Sequence, residues 1–156
     1  MAVNVAGAGQ TEQTCSIART LEVLGERWTF VILREALAGV TRFADFREQL
    51  GVAPDVLSDR LATLVAAGVL EKRPYREPGA RIRYGYHPTP AGEELRVVLG
   101  ALQQWGDAHR PLDGGPTVER RAVDDGRLLS VAFVDDTGTA VPLDRVAFVK
   151  TAAYPS

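Results

Sequence analysis

The spacing of apolar residues over the first two thirds of the chain is that of amphipathic helices. Apolar side chains recur every three or four positions, as they do where one helix face is buried. A fifth such run starts at Thr89 and Pro90, a pair typical of a helix N-cap and first turn. Each of the first four runs is followed by a glycine, as is common at helix C-termini. These glycines are Gly25, Gly39, Gly51 and Gly68. The pattern therefore predicts about five helices.

The pattern changes between the fourth and fifth of these helices. Residues 69–73 form a short β-type run, and residues 74–80 contain two prolines and a glycine. Residues 81–87 then alternate charged with apolar or aromatic side chains, so an antiparallel hairpin is expected here. Two helices on a short turn, followed by a hairpin, are the outline of a winged helix-turn-helix. In that fold the second helix of the turn enters a DNA groove, and the hairpin, called the wing, lies beside it.

A different pattern begins after residues 111–116, which are rich in proline and glycine and read as a linker. β-type runs at 128–134 and 140–150 flank a turn at 135–138, which predicts one hairpin, with a third short strand at 120–123. An isolated hairpin is only marginally stable in water. We therefore expect this extension to pack on the helices or on a partner chain.

The expected fold class is thus α+β, with three parts. Residues 1–14 form a flexible arm, and residues 15–110 form a winged helix-turn-helix domain of about five helices plus the wing. Residues 111–156 form a small β-hairpin extension. No apolar run is long enough to span a membrane, and residues 1–10 do not read as a signal peptide, so a soluble cytoplasmic protein is expected.

Several stretches of the sequence are specific enough to compare with known proteins. They lie at residues 15–29 (CSIARTLEVLGERWT), 32–35, 42–43, 56–61, 64–70 and 89–92, together with Arg81 and Tyr86. In order and spacing they resemble the HxlR-type regulators of bacterial transcription, which belong to the larger MarR-like winged-helix group. The resemblance implies a homodimer that binds a pseudo-palindromic operator in double-stranded DNA. It also implies dimer contacts through the first and last helices of the domain.

The fifth helix agrees with such contacts, because Val97 and Ala101 widen its apolar stripe beyond what a small domain needs. The alternative is that the C-terminal extension covers this surface. The residues expected at the dimer interface are Ile17, Leu21, Leu95, Val98, Leu99, Leu102 and Trp105.

The fourth predicted helix, which would be the recognition helix, departs from the resembling family in two ways. Pro54 is expected in its first turn, and relatives often have serine as its N-cap, whereas this chain has Ala53. Its exposed positions carry Asp55 and Asp59 where relatives commonly have lysine, glutamine or threonine. Carboxylates repel phosphate but accept a hydrogen bond from cytosine N4. Either the operator has cytosines at these positions, or the helix sits shallowly, or DNA binding is weak.

The charge for DNA binding is expected in the wing, although the net charge of the chain is −2. Residues 15–110 carry 13 basic and 12 acidic side chains, and residues 72–83 alone carry five basic residues against Glu77. Contacts between basic side chains and phosphates supply most nonspecific affinity, whereas the alternative is a merely solvated hairpin. The residues expected to contact DNA are Arg42, Asp55, Ser58, Asp59, Arg60, Arg76, Arg81 and Arg83.

Cys15 is the single cysteine of the chain, which excludes an intrachain disulfide and the common zinc sites built from several thiolates. It precedes the first helix, where the positive end of the helix dipole favours the thiolate. In the resembling family, several members use a corresponding cysteine to sense quinones, aldehydes or oxidants. Cys15 is therefore a candidate redox sensor, and the alternative is a small buried residue that packs against the helix.

No metal site, cofactor or catalytic constellation is expected. His87 has no obvious nucleophile or metal partner, and Ser58 lacks the surroundings of a nucleophilic serine. Trp28 and Trp105 are candidates to line a pocket for a small-molecule effector. The expected function is a DNA-binding transcriptional regulator, a homodimeric repressor that responds to an oxidant, electrophile or small ligand. The alternative is a ligand-binding or protein-interaction module on the same fold, with weak or no operator binding.

Overall fold

The computed structural model describes residues 14–154, and within them the chain forms five α-helices and two short antiparallel hairpins. The first part contains α1 (Ser16–Leu24), α2 (Arg27–Leu37), α3 (Phe43–Leu50), α4 (Pro54–Ala66), β1 (Leu70–Tyr75), β2 (Arg83–Pro88) and α5 (Pro90–His109). The predicted winged helix-turn-helix is confirmed. Residues 1–13 of the predicted arm lie outside the described residues.

The helix-turn-helix is formed by α3, a three-residue turn and α4. Gly51 ends α3 in the left-handed conformation, with φ of 61°, which a residue with a side chain adopts only at a cost. Pro54 then starts α4 at a position where its missing N–H needs no partner. Gly51 and Pro54 thus lie at the helix ends where the sequence predicted them.

The core of this part lies where α2 packs against α3, α4 and the wing. Its fully buried side chains come from five consecutive elements, and they hold the recognition helix against the rest of the domain. They are Leu24, Ile32, Leu33, Phe46, Leu57, Leu61, Leu64 and Leu70.

Replacing Phe46 with alanine should lower the free energy of unfolding by about 3–5 kcal/mol, because Phe46 is fully buried and its loss leaves a cavity. Urea denaturation followed by circular dichroism measures this change. The same substitution at Phe148, which is 89% exposed, is the matched control and should change the unfolding free energy little. Equal effects of the two substitutions would contradict this assignment of the core.

The wing is an antiparallel pair in which Leu70 faces Pro88 at one end and Tyr75 faces Arg83 at the other. The amide of Tyr86 donates to the carbonyl of Thr41 at 2.8 Å, so the segment before α3 runs beside β2. At the end of the wing, the hydroxyl of Thr89 accepts a hydrogen bond from the amide of Gly92 at 3.2 Å. The predicted cap of α5 is therefore confirmed.

Residues 96–151 form a second compact unit, and the helix α5 runs into it from the first. In this unit Gly100 allows close packing, since a Cβ there would lie 3.1 Å from a methyl group of Val131. The side-chain amide of Gln104 accepts from the backbone N–H of Val131 at 2.8 Å and donates to its carbonyl at 2.9 Å. The extension thus contacts the helix, as expected.

The predicted C-terminal hairpin is present but short. It consists of β3 (Phe133–Val134) and β4 (Ala140–Val141) around the expected turn. The predicted runs at 128–134 and 140–150 are longer than these strands, because Pro142 cannot donate to a ladder and a 3₁₀ turn follows at Leu143–Arg145. The third strand expected at 120–123 is reduced to a single bridge between Arg121 and Leu128.

The boundary between the two compact units falls inside α5, whereas the sequence pattern changes at residues 111–116. The predicted ranges of arm, domain and extension stay a prediction. Among the described residues, no helix has the length and apolar character needed to cross a membrane.

Candidate nucleic-acid interface

The helix α4 presents a small, mostly polar face to solvent. Its buried side is anchored by Leu57, Leu61 and Leu64, with Val56 and Val65 half-buried beside them. Asp55, Ser58, Asp59 and Ala62 are exposed, and Thr63 is half-buried. The structure therefore places three of the residues expected to read DNA, Asp55, Ser58 and Asp59, on the exposed side of α4.

The charges on α4 are partly balanced within the helix. A guanidinium nitrogen of Arg60 lies 2.9 Å from a carboxylate oxygen of Asp59, so these two neighbours form an ion pair on its flank. Asp55 lies in the first turn, where a negative charge interacts favourably with the helix dipole. Ala53 at the N-cap makes no side-chain hydrogen bond, as its identity dictates. Asp55 thus adds electrostatic stabilisation at a helix start that has no side-chain cap.

The basic residues of the wing differ in what they contact. Arg73 pairs with Glu71 at 2.6 Å, and Arg76 donates from Nε to the carbonyl of Ala80 at 3.1 Å. By contrast, within residues 14–154 neither Arg81 nor Arg83 has an acidic partner, and both are exposed. These two arginines flank Ile82 near the start of β2, on a wing whose first strand packs against α4. Lys72 is also exposed and has no acidic partner in the described part of the chain, but its Nζ lies 5.8 Å from the ring centre of Tyr86. Arg81 and Arg83 are therefore the wing cations most available to phosphate.

Arg42 lies immediately before α3 and is engaged by the wing. Its Nη1 is 2.7 Å from Oε1 of Glu77, and its guanidinium carbon is 4.9 Å from the ring centre of Tyr75. Sequence reasoning missed this link, although a single acid among five basic residues in the wing was a signal for it. The expected DNA contact of Arg42 stays a prediction.

Cys15 is the N-cap residue of α1, and its side chain is exposed. Its carbonyl accepts a hydrogen bond from the amide of Arg19 at 3.0 Å, so its backbone starts the helix while its thiol remains accessible. The alternative of a small buried packing residue does not describe this position in the single chain.

Most of the residues expected at a dimer interface are exposed apolar side chains. On α1, in the first unit, Ile17 and Leu21 face solvent. On α5, in the second unit, Val98, Leu102 and Trp105 are exposed on the face opposite Gly100 and Gln104, where the extension packs. Leu95 and Leu99 are half-buried.

The two tryptophans proposed to line an effector pocket belong to different compact units. Trp28 is half-buried, with the guanidinium of Arg27 at 5.4 Å from the ring centre. Trp105 is 59% exposed, and its ring lies 5.1 Å from that of His109. The effector pocket stays a prediction. A depression of about 160 Å³ in the second unit has other residues around it, which are Asp107, Arg110, Pro111, Leu112, Gly115, Pro116 and Thr117.

Asp135 of the extension stabilises the turn of its hairpin. Oδ1 of Asp135 accepts hydrogen bonds from the hydroxyl and amide of Thr137 and from the amide of Thr139. These bonds stabilise the carboxylate and therefore lower the pKa of Asp135. The bond from the Thr137 hydroxyl has the largest effect. In the part of the chain that the structure describes, no three histidine, cysteine, aspartate or glutamate side chains come together as metal ligands would.

Comparison with known proteins is consistent with this geometry. The family described as HxlR-like helix-turn-helix matches residues 23–113. The HTH-type transcriptional regulator Rv3095 of Mycobacterium tuberculosis is 42% identical over 106 residues, which are 68% of this chain and 66%, just under two thirds, of the relative. Among solved structures, the transcription factor PA1607 is 28% identical, with a TM-score of 0.77 over 92% of this chain and 99% of its own. PA1374 of Pseudomonas aeruginosa is 40% identical, with a TM-score of 0.63 over 89% of this chain and 94% of its own.

Proposed function

Given that this chain belongs to the HxlR-like family of helix-turn-helix transcriptional regulators, we propose that it is a homodimeric repressor that binds a pseudo-palindromic operator. The observation that carries this proposal is the pair of exposed arginines, Arg81 and Arg83, on the wing that packs against α4. Phosphates on either side of a groove would meet these cations while the exposed face of α4 meets base edges.

The exposed face of α5 supports the homodimer. Val98, Leu102 and Trp105 form an apolar stripe without a partner inside the second unit, and large exposed stripes of this kind mark association sites. A two-fold dimer would present two copies of α4 to successive major grooves, about 34 Å apart. The half-sites of the operator should then be separated by about one helical turn of DNA.

A gel-shift experiment with DNA from upstream of its own gene tests operator binding. A regulator of this kind should shift that DNA at low salt and release it steeply as salt rises. Absence of a shift, with the dimer intact, would exclude operator binding at that site. It would favour the second candidate, a ligand-binding or protein-interaction module, which the exposed carboxylate of Asp55 on α4 supports. That module should bind DNA weakly and with little salt dependence.

Cys15 makes oxidants and electrophiles the expected signals. With one thiol per chain, oxidation can produce a disulfide between two protomers, a mixed disulfide with a small thiol or a sulfenic acid, and a quinone can add to the sulfur. Each product changes the start of α1 beside the exposed Ile17 and Leu21, at the proposed dimer interface.

Diamide or a quinone should therefore release the wild-type protein from operator DNA, whereas the Cys15→Ser variant should stay bound. Gel-shift titrations with and without the oxidant measure the effect, and reduced wild type and variant should bind equally. If oxidant releases both proteins to the same extent, Cys15 is not the sensor. Control by a small-molecule effector then becomes the better candidate.

A further inference from the structure

The wing is tied to the segment that leads into α3 at two levels. Near the base of the hairpin, the amide of Tyr86 donates to the carbonyl of Thr41 at 2.8 Å. Nearer the tip, Arg42 forms its ion pair with Glu77 at 2.7 Å and lies over the ring of Tyr75 at 4.9 Å. Residues 42 and 77 are far apart along the chain, so this second contact joins two separate parts of the fold. The contact of Arg42 with Glu77 and Tyr75 is called the tie below.

We propose that Arg42 is a positioning residue that sets the orientation of the wing through Glu77 and Tyr75. This inference rests on the proposed function, because the orientation matters only if Arg81 and Arg83 contact phosphates while α4 lies in the groove. The hairpin is held by packing and backbone bonds near its base, so its tip can still swing. A contact near its tip restricts that motion and holds the cations at a fixed place relative to α4.

The chemistry of Glu77 supports this role. It is the single acid among five basic residues in positions 72–83, where a negative charge weakens the attraction to phosphate. Its carboxylate is bound to Arg42, which lies outside the wing, and not to any of those five residues. An exposed ion pair and a cation–π contact contribute little to overall stability. Their effect is therefore expected on the geometry of the wing, and the fold should persist without them.

The Arg73–Glu71 pair provides a matched control. Its two side chains are 58% and 48% exposed, close to the 48% and 46% of Arg42 and Glu77, but both belong to the same strand. Removing Arg73 deletes one charge of the wing and leaves the tie between Arg42 and Glu77 intact.

The test measures affinity for operator DNA and for unrelated DNA in Arg42→Ala, Glu77→Gln, the double variant and Arg73→Ala. Glu77→Gln should lower the ratio of the two affinities about fivefold per protomer, although it removes a negative charge. Arg42→Ala should lower the ratio similarly, and the double variant should be no worse than either single one. Arg73→Ala should weaken both affinities together. If Glu77→Gln instead strengthens both equally, and Arg42→Ala only reduces the salt slope, the tie does not position the wing.

Amide hydrogen exchange provides a readout without DNA. The amide of Ala80, bonded to the carbonyl of Glu77 at 3.0 Å, reports on the wing tip, and that of Tyr86 reports on its base. Arg42→Ala and Glu77→Gln should speed exchange at Ala80 severalfold, whereas Arg73→Ala should not. If exchange at Ala80 is faster in these two variants but the wild type does not bind DNA, the role of Arg42 in holding the wing is supported and the proposed function is overturned. Unchanged exchange with normal operator binding would overturn the tie alone.

Discussion

Replacing both Arg81 and Arg83 with alanine should weaken operator binding by about a hundredfold at low salt and flatten its salt dependence. Each phosphate contact contributes about −0.9 to the slope of log affinity against log salt, so losing two per protomer should reduce the slope of a dimer by about three to four. The expectation rests on these two arginines being exposed and, among residues 14–154, having no acidic partner.

Fluorescence anisotropy with labelled operator DNA over a series of salt concentrations measures this slope. The matched control replaces Arg121 and Arg127 with alanine, which removes the same charge from the extension. Those arginines already pair with Glu119 and Asp125, and the slope should be unchanged. Parallel lines for the wing variant and the wild type would mean that the wing does not contact phosphate.

Replacing Leu102 with aspartate should dissociate the dimer, with at least about a hundredfold rise in its dissociation constant. Leu102 is 50% exposed at the centre of the apolar stripe of α5, between Val98 and Trp105. Two-fold symmetry would place two new carboxylates in one apolar interface, and each unpaired charge costs several kcal/mol to desolvate. Operator affinity should fall with the dimer, because a single half-site contact then remains.

Analytical ultracentrifugation over a range of protein concentrations measures the dissociation constant. Val123→Asp is the control, since it adds the same charge at a fully exposed apolar residue of the extension. That variant should remain dimeric and bind DNA normally. If Val123→Asp is monomeric and Leu102→Asp is not, the extension carries the interface in place of the α5 stripe.

Much of the first part of the chain could be predicted from local patterns. The glycine that ends α3 in a left-handed conformation, the proline that starts α4 and the threonine that caps α5 all act through neighbouring residues, and all are found where expected. The wing was recognised from the alternation of residues 81–87 between two turn-forming stretches. The exposed and buried sides of α4 followed from its apolar spacing.

The extension was harder to predict because little in its local sequence specifies where its strands end and what they pack against. Its apolar runs suggested long strands, but Pro142 and the turn at Leu143–Arg145 end β4 after two residues. Packing against α5 depends on Gly100 and Gln104, whose contacts with Val131 join parts of the chain that are distant in sequence. No local sequence pattern predicts such contacts.

The sequence by itself determined the winged helix-turn-helix, the family, the position of Cys15 before α1 and the basic character of the wing. The fold outline, the position of Cys15 and the charge of the wing follow from periodicity, caps and composition, which act over a few residues. The family follows from the resemblance of specific stretches of sequence to known regulators. Only the tertiary structure decided which basic side chains are engaged. It pairs Arg42 with Glu77 and Arg73 with Glu71, and it leaves Arg81 and Arg83 without an acidic partner among the described residues. The physical reason is that an ion pair such as Arg42–Glu77 depends on distances in space, which folding sets between residues far apart along the chain.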